Sequence, residues 1–251
     1  MQIFTITIFF IFGTVFGSFF NVVGLRLPNK SLFSDQRSYC DYCRKQLGWR
    51  ELIPIWSYLW QKGRCRECEA KISPLYPVME LVTGLLTAFT YYRYAWSSEL
   101  LLGLLLIALI MPVTVADISY RKVPNQLLLF FSPIFLVYRI FYPLTPWWDA
   151  PLGAGVALLL LLVIFFLSRG GMGMGDVKYY TLFGFIFGLE HFFLLFLLST
   201  IYGVIIGIIK MRVKGTGRKT KLAFAPFIGL AALTVFYFGS AMIQWYKQLF
   251  N

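Results

Sequence analysis

Two sets of residues in this chain could do chemistry. The first is a pair of carboxylates beside apolar runs. Asp117 closes the stretch Val115-Ala116-Asp117-Ile118-Ser119-Tyr120-Arg121, and Asp176 stands in Gly170-Gly171-Met172-Gly173-Met174-Gly175-Asp176-Val177-Lys178. A charge at bilayer depth is costly, so an acid next to an apolar span marks a functional site by default. Alternating glycines before Asp176 suit close backbone approach and φ angles that other residues avoid. The plainer alternative is a loop with Asp176 as the N-cap of the next helix. The second set is Cys40-Asp41-Tyr42-Cys43 and, 21 residues on, Cys65-Arg66-Glu67-Cys68. Two C-x-x-C pairs at this spacing predict a tetrahedral zinc site at Cys40, Cys43, Cys65 and Cys68; the alternatives are two disulfides, which a cytoplasmic loop disfavours, or four free thiols. Four thiolates leave no open coordination position, so the zinc is expected to be structural.

Two aspartates at one depth in a dry site can share one proton, because like charges close together do not both ionise easily. The ionised member can take a proton from water as it attacks a carbonyl, while the protonated member donates to the carbonyl oxygen. That is peptide hydrolysis without a metal or a covalent intermediate. A Ser-His or Cys-His pair is unpromising, since the one histidine, His191, is predicted on the opposite membrane face. A third acid, Glu80, lies about a turn and a half into an apolar run. It either snorkels to the interface or helps line the cleft. Glu99, Asp149 and Glu190 fall at outer turns.

The elements that must position these residues are membrane helices. Hydrophobic residues make up 59% of the 251 and charged residues 14%, against about 25% charged in soluble domains; the mean hydropathy is +0.70. The runs are helical rather than barrel-like in length. Spans are predicted near Ile3–Leu25, Leu75–Tyr92, Leu100–Ala116, Leu127–Leu144, Leu152–Leu167, Val177–Leu189, Phe192–Ile209 and Leu222–Tyr246. Val177–Ile209 is read as two short spans interrupted at Glu190-His191, because one helix of that length would run about 50 Å. Met1–Phe20 lacks a basic n-region and a cleavage signature, and reads as a retained first span.

The net charge of +12 follows from topology and does not call for nucleic acid. Loops after the odd-numbered spans hold 10, 2, 2 and 6 Lys or Arg, against three on the other side. The positive-inside rule then puts both termini outside and Asp117 and Asp176 at the cytoplasmic face. The expected architecture is an all-α integral membrane protein of about eight spans: a first helix (1–25), a cytoplasmic zinc-ribbon-like loop with four cysteines (26–73) and a seven-helix membrane domain (74–251). Gly13/Gly17, Gly184/Gly188 and Gly203/Gly207 each have G-x-x-x-G spacing and are read as helix packing. No internal repeat is evident.

The chain resembles the prepilin peptidases, the type 4 prepilin leader peptidases of the G-x-G-D class of membrane aspartic proteases. The resemblance rests on Gly17-Ser18-Phe19-Phe20-Asn21-Val22-Val23 with Arg26-Leu27-Pro28, Arg37-Ser38-x-Cys40-x-x-Cys43, Ile53-Pro54, and Gly63-x-Cys65-Arg66-x-Cys68. It continues through Ile72-Ser73, Tyr76-Pro77-Val78-x-Glu80, Asp117 with Pro124-Asn125, and Gly173-Met174-Gly175-Asp176-Val177-Lys178. It implies Asp117 and Asp176 as the catalytic pair, with Gly173, Gly175 and Glu80 lining the substrate site. It implies prepilin, pseudopilin or competence pseudopilin substrates with a short basic leader, cut at the cytoplasmic face of the bacterial inner membrane. It further implies N-methylation of the new amino terminus with S-adenosylmethionine, an activity linked to the first cytoplasmic loop. Departures fall in that loop: Asp41 stands where proline is common, and Trp49-Arg50-Glu51-Leu52 replaces a more usual Trp-Tyr-Glu-Asn. The competing readings are an ion- or proton-coupled transporter using the two aspartates, and a scaffold that binds a partner through its zinc loop.

Overall fold

The structure is a computed structural model and describes residues 2–32, 37–40, 42–168, 171–214 and 222–249. Among them the chain is all-α, with two isolated bridges and no strand. The helices are α1 (Gln2–Arg26), α2 (Trp56–Trp60), α3 (Leu75–Tyr94), α4 (Ser98–Tyr120), α5 (Asn125–Phe141), α6 (Asp149–Leu167), α7 (Met174–Phe187), α8 (Leu189–Lys214) and α9 (Ala225–Gln248). The eight predicted runs coincide with all of these helices except the short α2. Five of them, α1, α4, α6, α8 and α9, are long and apolar enough to cross a membrane, so the protein is multi-pass. With 14 residues, α7 reaches only about 21 Å. The chain divides into two compact units, Met1–Ser119 and Tyr120–Asn251.

In the first unit α1 lies against α3. A Cβ on Gly13 would come 2.7 Å from the Thr87 hydroxyl, and one on Gly17 would come 2.8 Å from the Glu80 Cα. The two backbones therefore touch through the first G-x-x-x-G pair, as such pairs allow. Thr83 and Thr87 hide their hydroxyls by donating to the carbonyls of Met79 and Thr83 four residues back, at 2.6 and 2.7 Å. Asn21 Nδ2 donates to the Tyr76 carbonyl at 3.2 Å. At the other end of the pair, Phe9 stacks on Tyr91 with centroids 4.4 Å apart.

In the second unit the break between α7 and α8 comes at Gly188, not at Glu190-His191. Glu190 and His191 lie inside the first turn of α8. Gly188 has φ 79° and ψ 179°, a region essentially closed to side-chain-bearing residues. Asp149, at the start of α6, accepts from the Leu189 N–H at 3.0 Å, so it serves as the side-chain cap of α8 rather than as a solvated turn charge. Arg139 of α5 donates to the Ile186 carbonyl in the last turn of α7, where a cation also meets the negative end of the helix dipole. A glycine break with an acid on one side and a base on the other turns the chain.

The remaining G-x-x-x-G spacings divide. Gly184 packs on the Gly153 carbonyl and Ala157 of α6, while its partner Gly188 is the break. Gly203 faces Phe224, whereas a Cβ on Gly207 would meet nothing within 4 Å. The third pair is therefore not a two-residue packing motif.

These contacts order three alanine substitutions. Gly188→Ala should lose about 1–3 kcal/mol through its backbone alone, with a collision against Asp149 in addition. Asp149→Ala should lose about 1 kcal/mol with the cap, and Gly207→Ala should be neutral or gain up to about 1 kcal/mol. Thermal melts of the full chain in detergent check the order.

Candidate active site and metal centre

Asp117 lies in the last turn of α4. The three residues Val113, Val115 and Ala116 just before it are fully buried, and Asp117 itself is 5% exposed. The helix ends at Tyr120, and Arg121 follows in the left-handed region with φ 54°. The apolar sequence thus carries the carboxyl into the interior at the end of a span.

Asp176 is the third residue of α7 and is half-buried, next to the fully buried Val177. The N-cap is Gly173, which makes no side-chain cap bond, and the Asp176 N–H donates to the Gly173 carbonyl at 3.1 Å. Asp176 is therefore in the first turn and is not the N-cap. An anion there meets exposed N–H groups and the positive end of the dipole. Positive φ is not what the glycines before it supply: Gly171, Gly173 and Gly175 have none, and Gly170 lies outside the described residues. A Cβ on Gly175 would sit 2.9 Å from the Cβ of Val123. Gly173 has room for one, in ordinary contact with the Asp176 carboxylate at 3.4 Å. Lys178 Nζ donates to Asn125 Oδ1 at 3.1 Å. The segment Val123-Pro124-Asn125, six residues after Asp117, is thus packed on the first turn of α7.

Glu80 does not snorkel. It is 7% exposed, and its Oε2 accepts from the Ile55 N–H at 2.7 Å and its carboxylate from the Ser18 hydroxyl. Ile55 has φ 63° and ψ −53°, a conformation strained for a β-branched residue. Glu80 thus bolts the N-terminus of α2, in the middle of the cysteine loop, to α3. The sequence showed Ile53-Pro54 and Glu80 as separate features; a side chain bonded to a backbone N–H leaves no pairing signal between residue types.

The four cysteines converge. All four Sγ atoms lie within 4.8 Å of one another, with Cys40 and Cys68 at 3.8 Å and Cys43 and Cys65 at 3.9 Å. These separations are far beyond a disulfide bond. They match the edge of about 3.8 Å expected for a tetrahedron of 2.3 Å metal–sulfur bonds. The cluster fits one tetrahedral ion.

The two halves of the cluster repeat each other 25 residues apart. In one, the Cys40 N–H donates to Lys45 O at 2.9 Å, Arg44 N–H to Cys40 O at 3.0 Å and Leu47 N–H to Ser38 O at 2.8 Å. In the other, Cys65 donates to Ala70 at 2.9 Å, Glu69 to Cys65 at 3.0 Å and Ile72 to Gly63 at 2.8 Å. Arg44 and Glu69 both take positive φ, 59° and 55°. A basic residue, a small residue, the two cysteines and an aliphatic recur at Arg37/Lys62, Ser38/Gly63, Cys40/Cys65, Cys43/Cys68 and Leu47/Ile72. That internal repeat was available in the sequence but rests on residue class more than identity.

In the second knuckle, backbone N–H groups are aimed at sulfur. Those of Cys68 and Glu67 draw the Cys65 thiol down to about 7. The Ala70 N–H favours the Cys68 thiolate, but burial and the hydrogen bonds of Cys43, Cys65 and Cys40 outweigh it and push Cys68 up to about 12. The cluster gains its first thiolate readily and its last only with a cation present, so metal uptake releases protons.

The fold is that of a multi-pass helical membrane protein with a loop whose four clustered cysteines could hold a metal. Residues 11–94 match the Bacterial Peptidase A24 N-terminal domain, and residues 100–208 match the Type IV leader peptidase family. The chain is 36% identical over 244 residues to the prepilin leader peptidase/N-methyltransferase of Bacillus subtilis (strain 168), covering 97% of this chain and 98% of that protein. It is 30% identical to the protein of that name in Legionella pneumophila over 84% of this chain and 75% of the relative. For Aeromonas salmonicida the identity is 30% over 94% and 92%. No solved structure matches. The chain belongs to the type IV leader peptidase family and is an enzyme.

Three experiments test this geometry. Replacing Cys40 and Cys43 by serine should abolish metal binding, read by elemental analysis of the purified protein, while the wild type holds one ion per chain. Acidification should weaken metal retention, because protons compete for the sulfurs. Gly175→Ala should lower activity through its collision with Val123, and adding Val123→Ala should restore it. A substrate contact at Gly175 would give no such rescue.

Proposed function

We propose that the protein is an aspartic endopeptidase that removes the basic leader of prepilins or pseudopilins at the cytoplasmic membrane face and N-methylates the new amino terminus. The observation that carries this reading is the 36% identity to the Bacillus subtilis prepilin leader peptidase/N-methyltransferase over nearly the whole of both chains. Burial of Asp117 at the end of an apolar helix and the first-turn position of Asp176 support the assignment of roles. One carboxylate takes a proton from water as the oxygen attacks the scissile carbonyl; the other, protonated, donates to the carbonyl oxygen. Collapse of the diol passes a proton to the leaving amine and frees both acids for the next cycle.

The four cysteines hold a structural zinc in this reading, the ion that four thiolates in a tetrahedron suit best. The methyl donor is S-adenosylmethionine, as the relatives' N-methyltransferase names imply. Residues 26–73 form the cytoplasmic domain between a first span and a seven-helix membrane domain. All eight helices cross in this reading, with both termini outside and the membrane being that of a bacterial cell. The substrates belong to a pilus, secretion or competence system. Gly173, Gly175 and Glu80 border the substrate site in this reading. No observation favours the transporter or scaffold readings.

The test uses purified full-length protein in detergent and a synthetic peptide carrying a basic leader followed by an apolar segment. Mass spectrometry should show a single cut, and Asp117→Asn and Asp176→Asn should each lower the rate by at least about 10²–10⁴-fold with the metal still bound. Undiminished cleavage by either variant would refute the pair. A reporter fused after Asn251 should read outside and one inserted near Gly215, which lies outside the described residues, should read inside; the same location for both would contradict eight spans.

A further inference from the structure

We infer that α2 and the second cysteine knuckle form a binding site for the headgroup of an anionic phospholipid. Two observations meet here. The first is depth. Ile55, the residue that caps α2, is hydrogen-bonded to Glu80, which lies five residues past the start of α3, about 8 Å along its axis. The loop is therefore not free to stand away from the bilayer at this point. With α2 held beside a membrane helix, Trp56, Leu59 and Trp60 share one helical face and are 68%, 61% and 79% exposed. Two tryptophans and a leucine on the open face of a short juxtamembrane helix belong in the lipid interface, where an indole can keep its N–H wet and its ring dry.

The second observation is charge. On the other side of α2, Tyr58 faces a cavity of about 540 Å³ whose lining includes Lys62, Arg64 and Lys71. No described carboxylate lines it, and no ion pair is formed by these three cations among the described residues. The nearby acid Glu67 is spent on Lys45 at 2.8 Å. Gly63 fixes the wall: at φ 67°, its missing Cβ would lie 2.9 Å from the Tyr58 ring, so the ring and the knuckle backbone are in direct contact. Three unpaired cations with a phenol at one edge suit a phosphate group. Aromatic side chains beside them that enter the acyl boundary specify that the phosphate is attached to a lipid.

The inference rests on the reading under which α3 crosses the membrane and not on peptidase activity, so peptide cleavage in the same preparations reports on that function separately. Native mass spectrometry of the full chain in detergent, titrated with phosphatidylglycerol, phosphatidylcholine or glycerol phosphate, tests it. The wild type should retain phosphatidylglycerol about tenfold better than phosphatidylcholine, and excess glycerol phosphate should not displace it. The triple variant K62Q/R64Q/K71Q should lose that preference with its metal still bound. Trp56→Ser with Trp60→Ser, which changes only exposed side chains, should weaken retention of both lipids. A wild type without the preference overturns the proposal whatever the variants do. So does either metal-loaded variant behaving as wild type, or displacement by glycerol phosphate, which would make the ligand a soluble phosphate.

Discussion

A polar group carried into a membrane helix must find a partner, because no water is there to supply one. This constraint shapes both units of the protein. Glu80 finds the N–H of Ile55, Asn21 finds the carbonyl of Tyr76, Asp149 finds the N–H of Leu189, and Arg139 finds the carbonyl of Ile186. In each case the partner is backbone at a place where the chain starts, ends or interrupts a helix. Three of these partners, the N–H groups of Ile55 and Leu189 and the carbonyl of Ile186, are orphan groups that helix ends leave behind. What results is geometry: a cysteine loop fixed to α3, and a sharp corner between α7 and α8.

That geometry bears on the chemistry. The corner at Gly188 keeps α7 to 14 residues, so the turn carrying Asp176 and the corner held by Asp149 and Arg139 are ends of one short rigid rod. At the other end of α7, Gly175 and Lys178 seat the segment that follows Asp117. In the loop, two copies of one knuckle bring the four sulfurs together, and the Glu80 bond gives the loop a fixed place on the first unit. A loop of this size buries too little apolar surface to be rigid alone, so the Glu80 bolt supplies part of what a core would.

Much of this was legible in the residues. The apolar runs announced eight helices, and the C-x-x-C spacing announced the cysteine cluster, because hydropathy and ligand spacing are local signals. The helix break was misplaced for a physical reason. Charge at Glu190-His191 looked like an interruption, yet a helix tolerates charge in its first turn, whereas it does not tolerate the φ of Gly188. Asp149 and Glu80 were read as acids near an interface because their partners are N–H groups, which every residue but proline carries and no sequence pattern marks. The knuckle repeat escaped because Ser38 matches Gly63, and Leu47 matches Ile72, by size and polarity only. Gly203/Gly207 shows the opposite error, a motif spacing with no packing behind it.

Glu80 is a structural bolt between α3 and the four-cysteine loop. Hydrogen–deuterium exchange of the full chain in detergent measures it at the Ile55 amide. Exchange there should be slow in the wild type and in Glu80→Gln, which keeps an acceptor oxygen. In Glu80→Leu, exchange across residues 55–59 should rise by about tenfold or more, as loss of a charge-assisted bond worth about 1.5–3 kcal/mol requires, with α3 unchanged. Equal exchange at Ile55 in the wild type and Glu80→Leu would contradict it.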